Sequence, residues 1–191
     1  AASADNAIKR MCDIIASLIG IILLTPVWII VAAAVRLNDG GPAFFTQERV
    51  GLDGTTFTMI KFRTMRVDAE AMKDSLAEAN EADASAGNSI MFKMANDPRI
   101  TRIGSFLRKT SIDELPQLFN VLRGDMSLVG PRPPLPSEVA QYEPRVMGKF
   151  AVRPGITGLW QISGRSNLSW DETVHLDLSY AQHRSLTLDA W

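Results

Sequence analysis

Cysteine is nearly absent from this chain: Cys12 is the only one among 191 residues, so an intrachain disulfide and a C-x-x-C metal site are both excluded, and a reducing compartment fits. Histidine is scarce too, and His175 and His183, eight residues apart, read as packing or surface residues rather than as a metal pair. The chain also lacks a charge imbalance. Its 20 Lys+Arg face 21 Asp+Glu for a net charge of -1, so composition proposes no polyanion, nucleic acid included, as a partner. No internal repeat is visible, and no small-residue cleavage site follows Arg36, which argues against a removable signal peptide. The most consequential absence is local: Ile14 to Val35 is a run of about 22 residues without a formal charge. At about 1.5 Å per residue a helix of that length reaches about 33 Å, the thickness of a bilayer core.

Pro26 falls in the middle of this run, where it removes a backbone donor and presses on the carbonyl of Ile22, so a sharp bend at Thr25 and Pro26 is expected. Two readings stay open, a kinked single span and a re-entrant hairpin that enters and leaves on one face. Lys9 and Arg10 before the run and Arg36 after it mark neither end alone as cytosolic. The length of the chain fits one domain.

Beyond the apolar run, residues 43–49 and 56–62 mix β-branched and aromatic residues around Gly51-Leu52-Asp53-Gly54 and predict a hairpin with an Asp-Gly turn. Residues 65–82 have helical spacing, with Met65, Ala69, Met72, Leu76 and Ala79 on one side. Asp97-Pro98 reads as a cap before a short helix in which Ile103, Phe106 and Leu107 oppose Arg102, Arg108 and Lys109, a pattern that suits either a lipid surface or ordinary packing. Further helices are expected at 112–121, 137–142 and 170–183, the last announced by a capping box of Ser169 with Glu172. The prolines at 131, 133, 134 and 136 force an extended passage, and 154–164 reads as loop. The fold class expected is α+β, mainly helical, with a small hairpin.

The chemistry concentrates in the second half, where residues 93–165 carry about eleven basic and six acidic residues, a surplus that favours phosphate. Asp113 and Glu114 follow Arg108 and Lys109, and Ser111 with Glu114 matches a capping box. Two accounts therefore compete. The pair either sits where a helix dipole welcomes acids, or its ionised carboxylates serve as nucleophile, base or metal ligand. Arg132 between two prolines and Arg165 after Gly164 each place a planar, bidentate donor in a stiff or Gly-rich loop suited to phosphate, though each alone is as readily a surface residue.

Several long runs, namely KRMCDIIAS with LLTP, FFTQERVG, FTMIKFRTM, DPRITRIGSFLRKTSIDELPQLFNVLRGDMSLVGPRP, RPGITGLWQISGR and LDLSYAQHRSLTLD, resemble the bacterial polyprenyl-phosphate sugar-phosphate transferases. The resemblance spans nearly the whole chain. It implies a monotopic membrane protein whose helix, within 8–37, bends at its proline and returns to the cytosolic face of the inner membrane, with a single catalytic domain over 1–191 whose cytosolic part is 38–191. Where the family has Ser before the proline this chain has Thr25, which keeps a hydroxyl able to bond a carbonyl freed by the bend. Amphipathic interfacial helices are part of the same expectation. By similarity Asp113 is the nucleophile and Glu114 its partner at Mg2+, with Asp113 beside it. Lys61, Arg63, Arg108, Arg132, Arg165 and Asp177 match substrate or phosphate positions. The implied reaction moves a hexose 1-phosphate, glucose or galactose being the first candidates, from a UDP-sugar to undecaprenyl phosphate in the bilayer and releases UMP. Two other readings are an inactive scaffold of a polysaccharide assembly complex and a glycosyltransferase that releases UDP. The large members carry further membrane helices ahead of this domain, so the chain is expected to be part of a longer protein. Oligomeric state is open, a homo-oligomer included.

Overall fold

The apolar run folds as one long helix, α1 (Ala2–Asp39), in a computed structural model that describes residues 2–72, 97–163 and 168–190. Pro26 lies inside α1 rather than ending it, and the Thr25 hydroxyl donates to the Ile21 carbonyl at 2.7 Å. One face of α1 is a docking seam. Its first half is polar: Arg10 donates to the carbonyls of Val121 and Leu122 at 2.6 and 2.9 Å, and buried Asp13 accepts from the Ser127 hydroxyl at 2.8 Å and the Leu128 N–H at 3.2 Å. Its second half is apolar, with Trp28, Val31 and Val35 packed against Phe62, Leu107 and Leu118. The other face carries Ile15, Ile19, Ile22, Leu23, Ile29 and Ile30 exposed. Only 17% of its most apolar stretch is buried, whereas the core helix of a soluble protein would be mostly buried. This is the one helix among the described residues long and apolar enough to cross a membrane.

Strands β1 (Phe44–Val50) and β2 (Thr56–Phe62) form the expected antiparallel hairpin, with Phe44 opposite Phe62 and Val50 opposite Thr56. The turn between them needs two consecutive left-handed residues, and Asp53 (φ 54°) with Gly54 (φ 74°) supplies them. The helix expected at 65–82 falls mostly outside the described residues, and its described part, 65–72, is not helical: Met65 bridges to Ile100 and 67–72 run as turns. Helix α2 (Arg102–Thr110) starts later than the Asp97-Pro98 signal implied, because the cap is Thr101, whose hydroxyl accepts from the Gly104 N–H at 2.9 Å. Asp97 instead folds back onto the Arg99 backbone and guanidinium.

The helix expected at 112–121 is divided. A 3-10 turn, Ile112–Glu114, is followed by Pro116 and then α3 (Gln117–Arg123). Strand β3 (Ser127–Val129) pairs in parallel with β4 (Gly155–Thr157), a three-residue ladder with too little pattern to be seen in sequence. Between them lie the extended proline passage, α4 (Pro136–Val139) and a 3-10 stretch over Pro144–Ala151. Helices α5 (Leu159–Ile162), α6 (Trp170–His183) and α7 (Leu186–Ala190) complete the chain. The capping box of α6 forms as expected, the Glu172 N–H donating to the Ser169 hydroxyl at 3.3 Å and the Ser169 N–H to the Glu172 carboxylate at 2.8 Å. The result is mostly helical with a small β content.

Candidate active site

The acidic pair sits on the 3-10 turn between α2 and α3, and its backbone differs from the capped helix start that the sequence suggested. Ser111 is left-handed (φ 57°) and makes no side-chain cap; it closes α2 by donating its N–H to the Arg108 carbonyl at 3.3 Å. The turn is fixed from its far side instead. Asn120 on α3, fully buried, donates from Nδ2 to the Thr58 carbonyl at 2.7 Å and accepts at Oδ1 from the Ile60 N–H at 3.0 Å. One side-chain amide thus pairs with β2 as a neighbouring strand would, and it locks α3 and the turn before it to the strand that carries Lys61.

A second tie sets the opposite wall. Gly104 lies against the Thr64 carbonyl so closely that a Cβ there would fall 1.9 Å from its oxygen. This contact draws α2 onto the end of β2, where Arg108 Nε donates to the Thr64 hydroxyl at 2.9 Å. Asp113, buried, lies within the fields of Lys61 and Arg108. Burial raises its pKa above the ordinary carboxylate value, and the two cations work against that rise. Lys61 is pushed down to about 8, first by burial and then by Arg49 and Arg108, with Asp113 and Glu114 opposing. Its ammonium also lies 5.6 Å from the centre of the Phe45 ring.

Arg49, in sequence an ordinary strand residue, is one of the site residues that the sequence does not reveal. It is buried, donates from Nη1 to the Pro133 carbonyl at 3.0 Å and from Nη2 to Gln47 at 2.6 Å, and keeps a buried Nε without a partner among the described residues. Burial and the Arg132 charge lower its pKa to about 10, while Glu138, Tyr142 and Glu114 oppose. Arg49 therefore joins the acidic turn electrostatically to the loop that carries Arg132. No local pattern in Phe44–Val50 marks it.

Of the remaining candidates, Asp177 is buried in a 2.5 Å ion pair with Lys149 and interacts with the Arg132 backbone. It reaches the site through that loop. Arg63 is not brought to the acidic pair: its guanidinium closes on Asp39, the Pro42 carbonyl at 2.7 Å and the Met65 carbonyl at 3.2 Å. Arg165 lies outside the described residues. His183 bonds the Ser179 carbonyl at 3.0 Å from an exposed position.

Among the described residues no three or more His, Cys, Asp or Glu side chains converge. Asp113 and Glu114 thus offer two adjacent carboxylates. That set does not suit an all-protein metal cage, but it suits Mg2+, which takes one or two carboxylates and completes its octahedron with substrate phosphate and water.

Residues 4–191 match the family model described as bacterial sugar transferase. The chain is 50% identical over 182 residues to the galactosyl transferase CpsE of Streptococcus agalactiae serotype III, covering 95% of this chain and 39% of that protein. It is 45% identical to the undecaprenyl-phosphate galactose phosphotransferase of Salmonella typhimurium, again over 95% of this chain, and spans 38% of that protein. It is 40% identical to the exopolysaccharide production protein ExoY of Rhizobium meliloti, of which it covers 80%. The chain therefore spans about two-fifths of the length of the first two relatives and most of the third.

Proposed function

The chain belongs to the bacterial sugar transferase family, and from that premise we propose that it transfers a hexose 1-phosphate from a UDP-sugar to a polyprenyl phosphate and releases UMP. The observation that carries this reading is the buried carboxylate of Asp113 within the fields of Lys61 and Arg108. The names of the relatives support the substrates: one is an undecaprenyl-phosphate galactose phosphotransferase and another a UDP-glucose:undecaprenyl-phosphate glucose-1-phosphate transferase.

The reaction proceeds in two displacements. An Asp113 oxygen attacks the β-phosphorus of the donor, the bond from that phosphorus to the bridging oxygen breaks, and UMP leaves with the bonding pair. The acceptor's phosphate oxygen then attacks the same phosphorus, and the Asp113 carboxylate departs unchanged. A carboxylate approaching a diphosphate meets repulsion of about 4 kcal/mol per charge pair at about 4 Å and an effective dielectric near 20. Lys61, Arg108 and Arg132 offset that repulsion, and burial of Asp113 keeps its carboxylate poorly hydrated and reactive. Mg2+, held by Glu114 with Asp113 beside it, would supply further neutralisation of the diphosphate when bound.

The seam on α1 supports a membrane placement. Near its start Lys9 pairs with Asp189 at 2.5 Å and Arg10 caps α3; at its end Asp39 pairs with Arg63. Both ends are held by one body, which supports a helix that enters and leaves the inner membrane on the cytosolic face, bringing the site to the level of a lipid phosphate.

With UDP-sugar labelled in the β-phosphate and no acceptor, label is expected on the wild-type protein and absent from Asp113→Asn. A labelled Asp113→Asn protein, or release of UDP in place of UMP, would overturn the reading.

A further inference from the structure

Arg132 is not a free cation. Its Nη1 donates to Glu138 Oε2 at 3.0 Å and its Nη2 to Oε1 at 3.3 Å, while the same carboxylate accepts from the Leu135 N–H at 2.8 Å. Glu138 is buried, and although burial works against its ionisation, the Arg132 charge and hydrogen bonds, the Leu135 N–H and Arg49 hold its pKa below the ordinary value. It is an anion locked from two sides.

The backbone under Arg132 is equally constrained. The Gly155 N–H donates to the Pro131 carbonyl at 2.9 Å, Arg49 to the Pro133 carbonyl at 3.0 Å, and the Val50 N–H to the Pro134 carbonyl at 3.0 Å. With the main chain pinned at three successive prolines, the freedom left to Arg132 is that of its own side chain, which keeps 26% exposure. A guanidinium carries five N–H groups, and the fork on Glu138 uses one from each terminal nitrogen. Nε and the second N–H of each Nη remain, in one plane whose orientation the fork dictates.

We infer that Glu138 is a positioning residue for the donor's diphosphate, acting through Arg132: it fixes the guanidinium plane so that the edge carrying Nε–H and the second N–H of Nη2 is presented toward phosphate. This rests on the proposed function, which assigns Arg132 to the donor. Arg49, whose charge couples to Arg132, Glu138 and Glu114, ties this presentation to the acidic turn. The competing account makes Glu138 only the third residue of α4, capping that short helix through Leu135.

Steady-state kinetics separate the two. In Glu138→Gln the KM for the UDP-sugar should rise about tenfold, with kcat within about threefold and the KM for the polyprenyl phosphate within about twofold. Glu138→Asp, which keeps charge and cap but shortens the arm, should raise the same KM. In an Arg132→Lys background, where no fork can form, Glu138→Gln should add nothing further. An unchanged donor KM in both single variants, or a KM rise that multiplies onto Arg132→Lys, overturns the inference and leaves only the cap. If either single variant fails to fold, the other carries the same comparison. A wild-type protein that releases no UMP from any UDP-sugar overturns the proposed function, and this inference with it.

Discussion

Replacing Lys61 by Met should stabilise the protein while abolishing its transfer activity. The lysine is held against Arg49 and Arg108 in a partly dehydrated site, and the fall of its pKa from 10.5 to about 8 corresponds to about 3 kcal/mol of unfavourable free energy at neutral pH. Water at the open side of the site lowers that to about 1–3 kcal/mol. A Met side chain fills similar space without the charge. For a chain of this size about 1 kcal/mol moves Tm by about 2–4 °C, so a rise on the order of 5 °C is expected at pH 7. The pH dependence gives an independent reading. Between pH 8 and 10.5 the unfolded lysine binds its proton and the folded one does not, so wild-type stability gains from this group as pH rises through that window. The variant lacks the gain, and the two curves should converge toward pH 10.5. Thermal unfolding in detergent, with chelator and without substrate, measures both. A variant less stable than wild type at pH 7, or a constant difference from pH 7 to 10.5, would refute the electrostatic reasoning.

Lys149→Met should cost about 3–5 kcal/mol, because it strands buried Asp177, whose pKa burial already raises. The loss should shrink as pH falls toward the range in which Asp177 can take up a proton, and adding Asp177→Leu should restore most of it, as denaturant unfolding would show. Gly104→Ala should destabilise by about 1–3 kcal/mol and slow turnover, since a Cβ at 1.9 Å from the Thr64 oxygen must push α2 and Arg108 away from β2. In a Cys12→Ser background, single cysteines at Asn6 and Asn38 should react with an impermeant reagent from the same side of sealed membranes. Reaction from opposite sides would refute the hairpin topology.

The elements legible in the sequence are those with a long pattern or a local cap. The charge-free run gave α1, β-branched and aromatic residues around Asp53-Gly54 gave the hairpin, and Ser169 with Glu172 marked the start of α6. The acidic pair was visible as chemistry, but its setting was misread. Ser111 and Glu114 have capping-box spacing, yet Ser111 ends α2 in a left-handed conformation and makes no side-chain cap. Arg49, Asn120, Glu138 and Lys149 escaped notice for one shared reason. The contacts that define Arg49, Asn120 and Lys149 reach Pro133, Thr58 and Asp177, which are 84, 62 and 28 residues away, and that of Glu138 is an ion pair with Arg132 across a proline-rich loop, so no local pattern reports them.

The amide of Asn120 has a consequence for how errors in this fold are handled. Side chains alternate along a strand, so a slip of one residue in the pairing of β2 with β1 would turn Lys61 to the wrong side of the hairpin. The same slip would carry the Thr58 carbonyl and the Ile60 N–H away from the amide that reads them. A misregistered chain thus loses the placement of Lys61 and the anchorage of the acidic turn in a single event. Through this one amide the register of β2 and the placement of the acidic turn are tied together.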